Sequence, residues 1–248
     1  MRSYLYVEQR DAETARTGAL ASPVLSVTWG GPVRVPTGPD GDRLFPLVAL
    51  SGASTHGHRM EIGAGVRGFH VRFCPTGARA LLGERPTPDS WAAGLSADVE
   101  RWAEAIAEAG SFEVRVTLAD LLLCSRIPGG DVWSAAASAL VARAAGSLSV
   151  HALSEALGVS DRTLRRRFHD DTGLSVKTFA QIERYRQAHG YLLRTPGATW
   201  RDVCERYGYA DQAHFIRAFH RFTGEPPTHW HSEGHALDLG MGLRDEGA

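Results

Sequence analysis

Val150-His151-Ala152-Leu153-Ser154-Glu155-Ala156-Leu157-Gly158-Val159-Ser160 and Trp200-Arg201-Asp202-Val203-Cys204-Glu205-Arg206-Tyr207-Gly208-Tyr209-Ala210-Asp211 are two versions of one pattern. With one extra residue in the second turn, Ser160 falls on Asp211, and Arg162 to Gly173 then runs beside Ala213 to Gly224. Seven positions coincide: Glu155/Glu205, Gly158/Gly208, Arg166/Arg217, Phe168/Phe219, His169/His220, Thr172/Thr223 and Gly173/Gly224. Average composition would give about one or two by chance. The same unit therefore stands twice in this half of the chain.

Each unit reads as helix, tight turn, helix. Leu153 with Leu157, and Val203 with Tyr207, place an apolar stripe on a short first helix, and Gly158 or Gly208 stands where a left-handed C-terminal cap is needed. Ser160 and Asp211 are N-cap residues for the second helix, able to accept from a first-turn amide. Leu164 with Phe168, and Phe215 with Phe219, are spaced i, i+4 and pack the second helix onto the first. The unit is a helix-turn-helix, whose second helix commonly lies in the DNA major groove.

The exposed face of that helix carries the chemistry. In the first unit it shows Arg162, Arg165 and Arg166, flanked by Arg167. Arginine pairs two donors with guanine O6 and N7. In the second unit the face shows Gln212, Ala213, Ile216 and Arg217; glutamine suits adenine, and the small or apolar members suit a thymine methyl. An arginine cluster on one amphipathic helix is more often a solvated face. Two such helices, each behind a glycine turn and an N-cap, weigh for a DNA reader. Residues 147–232 hold 12 Lys+Arg against 9 Asp+Glu, net +3, while the remainder holds 15 against 19, net −4. The asymmetry is small but has the sign that DNA requires.

Gly158-Val159-Ser160-x-x-x-Leu164-x-Arg166-x-Phe168, Thr172-Gly173-Leu174-Ser175-Val176-Lys177, Tyr207-Gly208-Tyr209-Ala210-Asp211-Gln212-Ala213-His214-Phe215-x-Arg217-x-Phe219, Thr223-Gly224-x-Pro226-Pro227 and Trp230 closely resemble the DNA-binding domain of the AraC/XylS transcriptional regulators over about residues 132–231. The resemblance implies a seven-helix domain with two helix-turn-helix units joined by a long helix, Ser175 to Arg194, bound to double-stranded promoter DNA as activator or repressor. It puts base-reading positions on Arg162, Arg165, Arg166, Ala213, Ile216 and Arg217, to which the side-chain chemistry adds Gln212. Phosphate contacts are expected from Ser160, Lys177 and Asp211. RNA polymerase, a small-molecule effector and a homodimer are the other partners expected, and no membrane. Gly190 departs from the pattern by standing inside the joining helix, at a cost of about 1 kcal/mol relative to alanine.

The chain has 248 residues, 43% apolar and 22% charged, which excludes disordered and fibrous classes and suits two domains. Residues 4 to about 73 are rich in Gly, Pro, Val and Thr, with short apolar runs at Pro23–Trp29 and Phe45–Leu50 and an alternating Gly68–Phe73, all read as strands. Helical composition follows at Ala78–Leu82, Asp98–Ala109 and Thr117–Ser125, and Arg126-Ile127-Pro128-Gly129-Gly130 reads as a linker. The expected fold is α+β: a β-rich regulatory, effector or dimerisation domain with helices at 1–130, an all-α DNA-binding domain at 131–232 beginning with a helix over Asp131–Ala145, and a frayed tail at 233–248. Val71-Arg72-Phe73-x-Pro75-x-Gly77-Ala78 loosely resembles the N-terminal domains of such regulators and names no ligand.

Three cysteines, Cys74, Cys124 and Cys204, form no ligand or redox spacing, and Met1-Arg2-Ser3-Tyr4 opens no signal-peptide pattern, so a cytoplasmic, nucleoid-associated protein is expected. No cofactor is expected. His56, His58 and Glu61 are the one candidate metal set, two imidazoles with a carboxylate, although a polar Gly-rich loop explains them as well and their spacing is shorter than the cupin metal motif requires. Trp29, Phe45, Phe69 and Phe73 are candidates to line an apolar pocket. A transcriptional regulator, not an enzyme, is the first reading. The alternatives are a DNA-repair alkyl-transfer enzyme, for which Cys74 is the candidate nucleophile, or a metal-dependent enzyme with the same DNA-binding domain. A purely architectural DNA protein is disfavoured, since those present minor-groove wedges.

Overall fold

A computed structural model of the protein describes residues 3–36, 41–78, 87–126 and 132–227. Among these, nine short strands come first: β1 (Ser3–Glu8), β2 (Glu13–Thr17), β3 (Val24–Trp29), β4 (Val33–Pro36), β5 (Asp42–Leu44), β6 (Val48–Ser51), β7 (His58–Ile62), β8 (Arg67–Arg72) and β9 (Trp91–Ala92). They form two antiparallel sheets, one of order β1-β8-β3-β6-β9 and one of order β2-β7-β4-β5.

The alternation of β3 and β8 explains how one sheet serves two layers. Leu25, Val27, Phe69 and Val71 point to one face, where they pack with Val99, Trp102, Ala103 and Ile106 of helix α1 (Ala97–Glu108) and Ala119 and Leu123 of α2 (Phe112–Arg126). The i, i+3, i+4, i+7 spacing of the α1 residues makes this its buried stripe. Trp102 Nε1 donates to the Leu118 carbonyl at 2.9 Å, and the Arg115 guanidinium lies over the rings of Tyr6 and Trp29 at 4.8 and 5.4 Å. The other face, with Val24, Ser26, Thr28, Gly68 and His70, lines a cavity between the sheets of about 360 Å³. Of the four aromatic residues expected around a pocket, only Phe45 lines this one. Phe69 and Phe73 are buried on the helix side and Trp29 packs there with them. Strand alternation sends Phe69 away from His70, which composition alone does not reveal.

Six helices follow: α3 (Val132–Arg143), α4 (Val150–Ala156), α5 (Asp161–Thr172), α6 (Val176–Arg194), α7 (Trp200–Tyr207) and α8 (Gln212–Thr223). The resemblance implies seven; six lie among the described residues. Their core gathers Leu153, Leu164, Phe168, Phe179, Tyr185 and Phe219, and Ala19, Ala21 and Ala53 of the β-rich region belong to the same cluster. Helices expected over Asp98–Ala109 and Thr117–Ser125 are α1 and α2, the second starting earlier, at Phe112. The helix expected over Asp131–Ala145 is α3, which ends at Arg143, and Gly146 follows at φ 68°. Most of the expected helix Ala78–Leu82, nearly all of the 126–130 linker, Trp230 and the tail lie outside the described residues. Among the described residues no helix is long and apolar enough to cross a membrane.

Candidate nucleic-acid interface

The two repeat units fold as two helix-turn-helix pairs, α4–α5 and α7–α8. Gly158 and Gly208 take φ of 64° and 68°, the left-handed turn that leads from one helix into the next. Ser160 caps α5 by accepting from the Thr163 amide at 3.2 Å, and Asp211 caps α8 by accepting from the His214 amide at 2.6 Å. Gly173 and Gly224 close the two helices in the left-handed conformation.

Burying Leu164 and Phe168 leaves Arg162, Arg165, Arg166 and Arg167 exposed on α5. Burying Phe215 and Phe219 leaves Gln212, Ala213 and Arg217 exposed on α8, with Ile216 half-buried beside them. Lys177 is exposed in the first turn of α6, whose N-cap Ser175 accepts from Thr178. The residues picked from sequence thus lie on the outer sides of the second helices or at their N-caps, apart from Lys177, which is on the joining helix.

Aromatic contacts tie the two units to the joining helix. Phe168 of α5 meets Phe179 of α6 edge-on at 5.3 Å. Tyr185 of α6 lies 5.5 Å from Phe219 and 5.3 Å from Phe222 of α8, and His189 lies 5.1 Å from Phe219. Such pairs contribute about 0.5–1.5 kcal/mol each beyond their buried area. Gly190 is buried in this stretch of α6.

The C-terminal end of α8 is also held by the β-rich region. Ala19 donates its amide to the Phe222 carbonyl at 2.8 Å, one of the acceptors a helix end leaves unpaired. Arg16 forms an ion pair with Glu225. Gly57 lies so close that a Cβ there would stand 2.4 Å from the Thr223 carbonyl oxygen and 2.7 Å from that of Thr17.

Beside that contact, at the edge of the cavity, sits a polar cluster. One ligand atom each from His56, His58 and Asp89 lie within 4.8 Å of one another. The imidazoles are 4.7 Å apart between centroids, and His56 Nδ1 is 3.1 Å from Asp89 Oδ1. Burial, and then the neighbouring His56, lower the proton affinity of His58, with Asp89 opposing. Glu61, the carboxylate expected with these histidines, is elsewhere: it faces Arg59 at 3.8 Å and borders a separate hollow with Thr14 and Pro32. Three residues along a strand reverse the face, so His58 and Glu61 diverge. Asp89 takes its place from a loop 31 positions after His58, and no local spacing announces it.

His70 is half-buried in the cavity wall, with Nδ1 2.9 Å from Ser26 Oγ, and desolvation there pushes its pKa down to about 4. It is a neutral imidazole facing the cavity, along with Arg43, stacked 4.4 Å over Trp91. Cys74 is half-buried, with Sγ 3.7 Å from Thr76 Oγ1.

Residues 153–233 match the family described as "Helix-turn-helix domain". No curated protein matches the chain. Among solved structures, ToxT from Vibrio cholerae O395 is similar at 10% identity and a TM-score of 0.52, over 92% of this chain and 96% of that one. Wild-type Vibrio cholerae ToxT bound to unsaturated fatty acid matches at 9% identity and 0.53, over 92% and 94%. ToxT bound to (E)-4-(8-methylnaphthalen-1-yl)but-3-enoic acid matches at 10% and 0.50, over 93% and 97%. At such identity the likeness is one of fold, and it spans the β-rich and helical regions together. Neither finding supports the alkyl-transfer or metal-dependent enzyme readings. Residues 153–233 thus belong to that helix-turn-helix family, and the chain that carries them has the two-region fold of ToxT.

Proposed function

We propose that the protein reads two successive major grooves of promoter DNA with α5 and α8, and that a small molecule held between its two sheets controls the reading. Residues 131–232 act as the DNA-binding domain in this account, with 1–130 as the regulatory one. The observation that carries it is the pairing of two capped second helices, each with its apolar side in one core and its guanidinium or amide side in solvent. Arg162, Arg165 and Arg166 address guanines, Gln212 an adenine, Ala213 and Ile216 thymine methyls, and Arg217 a guanine. Ser160 and Asp211 spend their side-chain oxygens on caps, so their part in phosphate binding falls to the first-turn amides they organise. Lys177 adds a direct phosphate contact.

The cavity supports a mostly apolar effector with one polar head. Val33, Met60 and Ile62 line it with Ser26, His70 and Arg43, few polar groups on an apolar wall. ToxT, which shares the fold, is known bound to an unsaturated fatty acid. RNA polymerase as the protein contacted at the promoter, a homodimer and a cytoplasmic, nucleoid-associated setting complete the proposal, and no chemical step is assigned to the chain.

Selection of bound sequences from random DNA, followed by footprinting, tests this reading. The expected result is a defined site protected at two positions one helical turn apart, about 34 Å. A protein that binds all sequences alike, or protects a single groove, would overturn it.

A further inference from the structure

The cluster at the cavity edge is more built than a polar loop needs to be. Asp89 is held from both sides: the Thr55 amide donates to Oδ1 and the Thr55 hydroxyl to Oδ2, each at 2.6 Å, while its own amide donates to the Ala53 carbonyl at 2.8 Å. Its backbone sits at φ 55°, a conformation few non-glycine residues adopt. On the other side Ser54 Oγ stands 3.0 Å from His58 Nε2 and donates to the His56 carbonyl. Outer contacts of this kind orient metal ligands. Two imidazoles and one carboxylate that leave further positions open form the donor set preferred by divalent ions of the later first transition row.

We propose that His56, His58 and Asp89 bind one first-row divalent transition-metal ion, and that its occupancy sets how the segment between the two histidines seats on the end of α8. Around a tetrahedral ion with bonds of about 2.0–2.1 Å, ligand atoms stand about 3.3 Å apart. The His56–Asp89 pair is already at 3.1 Å, and the half-exposed His56 ring is free to turn toward the third ligand. Two neutral imidazoles and a carboxylate leave a net charge of +1 on the bound ion. Water, or the polar head of a cavity ligand, completes the shell, because His58 and Asp89 both line the cavity. The coupling runs through Gly57, which lies between the two histidine ligands and against the Thr223 carbonyl. Drawing the two rings onto one ion fixes the residue between them, and with it the contact that holds the second recognition helix.

The metal site is read without DNA, so its test is independent of the function proposed above. The full-length protein, freed of metal by chelation, is titrated with Zn²⁺ by calorimetry and with Co²⁺ by visible absorption, in parallel with His56→Ala, Asp89→Asn and Glu61→Gln. His56 is exposed enough that its loss leaves the fold intact, and far-ultraviolet circular dichroism checks this. His229, His231 and His235 stand further along the chain; an ion bound by those would persist in both His56→Ala and Asp89→Asn. The expected result is one Zn²⁺ per chain and a Co²⁺ ligand-field band, both weakened at least tenfold in His56→Ala and Asp89→Asn and unchanged in Glu61→Gln. Hydrogen exchange then reads the coupling: amides over 17–20 and 222–225 exchange more slowly with Zn²⁺ in the wild type and show no change in His56→Ala. Binding that is absent, or that survives both ligand substitutions, overturns the site. Site-specific binding with unaltered exchange at the α8 end overturns the coupling.

Discussion

The amide of Ala19 and the carbonyl of Phe222 are joined at 2.8 Å, so a loop of the β-rich region completes the last turn of α8. The neighbouring Gly57 has no room for a side chain, and the atoms in the way are backbone oxygens that no rotamer change moves. Gly57→Ala is therefore expected to cost about 1–3 kcal/mol by overpacking and to loosen α8. Gly110, with nothing within 4 Å, supplies the control. Urea unfolding of the two variants checks this: an unchanged midpoint for Gly57→Ala would show that the two regions are not packed together.

Base readers and phosphate contacts separate by their salt dependence. Arg166→Ala is expected to cost about 1–3 kcal/mol on the best site and relax base preference there. Lys177→Ala is expected to weaken every sequence alike and flatten the salt slope by about one unit. Titrations on selected and random DNA at several salt concentrations distinguish them, and equal losses on both DNAs for both variants would remove Arg166 from the reading role.

Protons act on the cavity through His70. Its folded pKa is about 4 against an ordinary 6.5, so as pH falls the unfolded chain takes up the proton first. Stability is full above about pH 6.5 and declines down to about pH 4, by up to about 3 kcal/mol from this group. His70→Gln, which keeps a polar group near Ser26 but does not titrate, is expected to flatten that decline. A stability profile from pH 7 to pH 4 that is identical in the two proteins would place His70 in contact with solvent.

What sequence made legible follows from how local the physics is. Gly158, Ser160, Gly208 and Asp211 act on their own turns, so spacing alone places them, and the structure has each in its expected cap or turn. The strands were legible as a texture, but their pairing was not: β1 pairs with β8, and nothing near Tyr4 points to Val71. The same distance hid Asp89 from His58 and Phe222 from Ala19. Glu61 looked like the partner because it was near in sequence, and strand alternation put it on the wrong face. His70 was within reach, since the alternation of Gly68–Phe73 that buries Phe69 and Val71 on one face sends it to the other.

The joining helix gives the sharpest test of two-point reading. α6 has 19 residues and spans about 28 Å at 1.5 Å per residue. Its first half meets α5 through Phe179, and its second half meets α8 through Tyr185 and His189. The second groove contact is then intramolecular, which raises affinity by about 10² to 10⁴ while both contacts are geometrically allowed. One alanine inserted after Gln187 turns everything beyond it by about 100° and advances it about 1.5 Å. Tyr185 lies before the insertion and His189 after it, so the two rings can no longer share Phe219, and α8 loses either its packing or its phase with α5. The variant is expected to bind weakly, to protect one groove, and to depend still on Arg166 but no longer on Arg217. Footprinting of the insertion combined with Arg166→Ala and with Arg217→Ala measures this. A full-length footprint with undiminished Arg217 dependence would show that α6 does not hold the two readers in register.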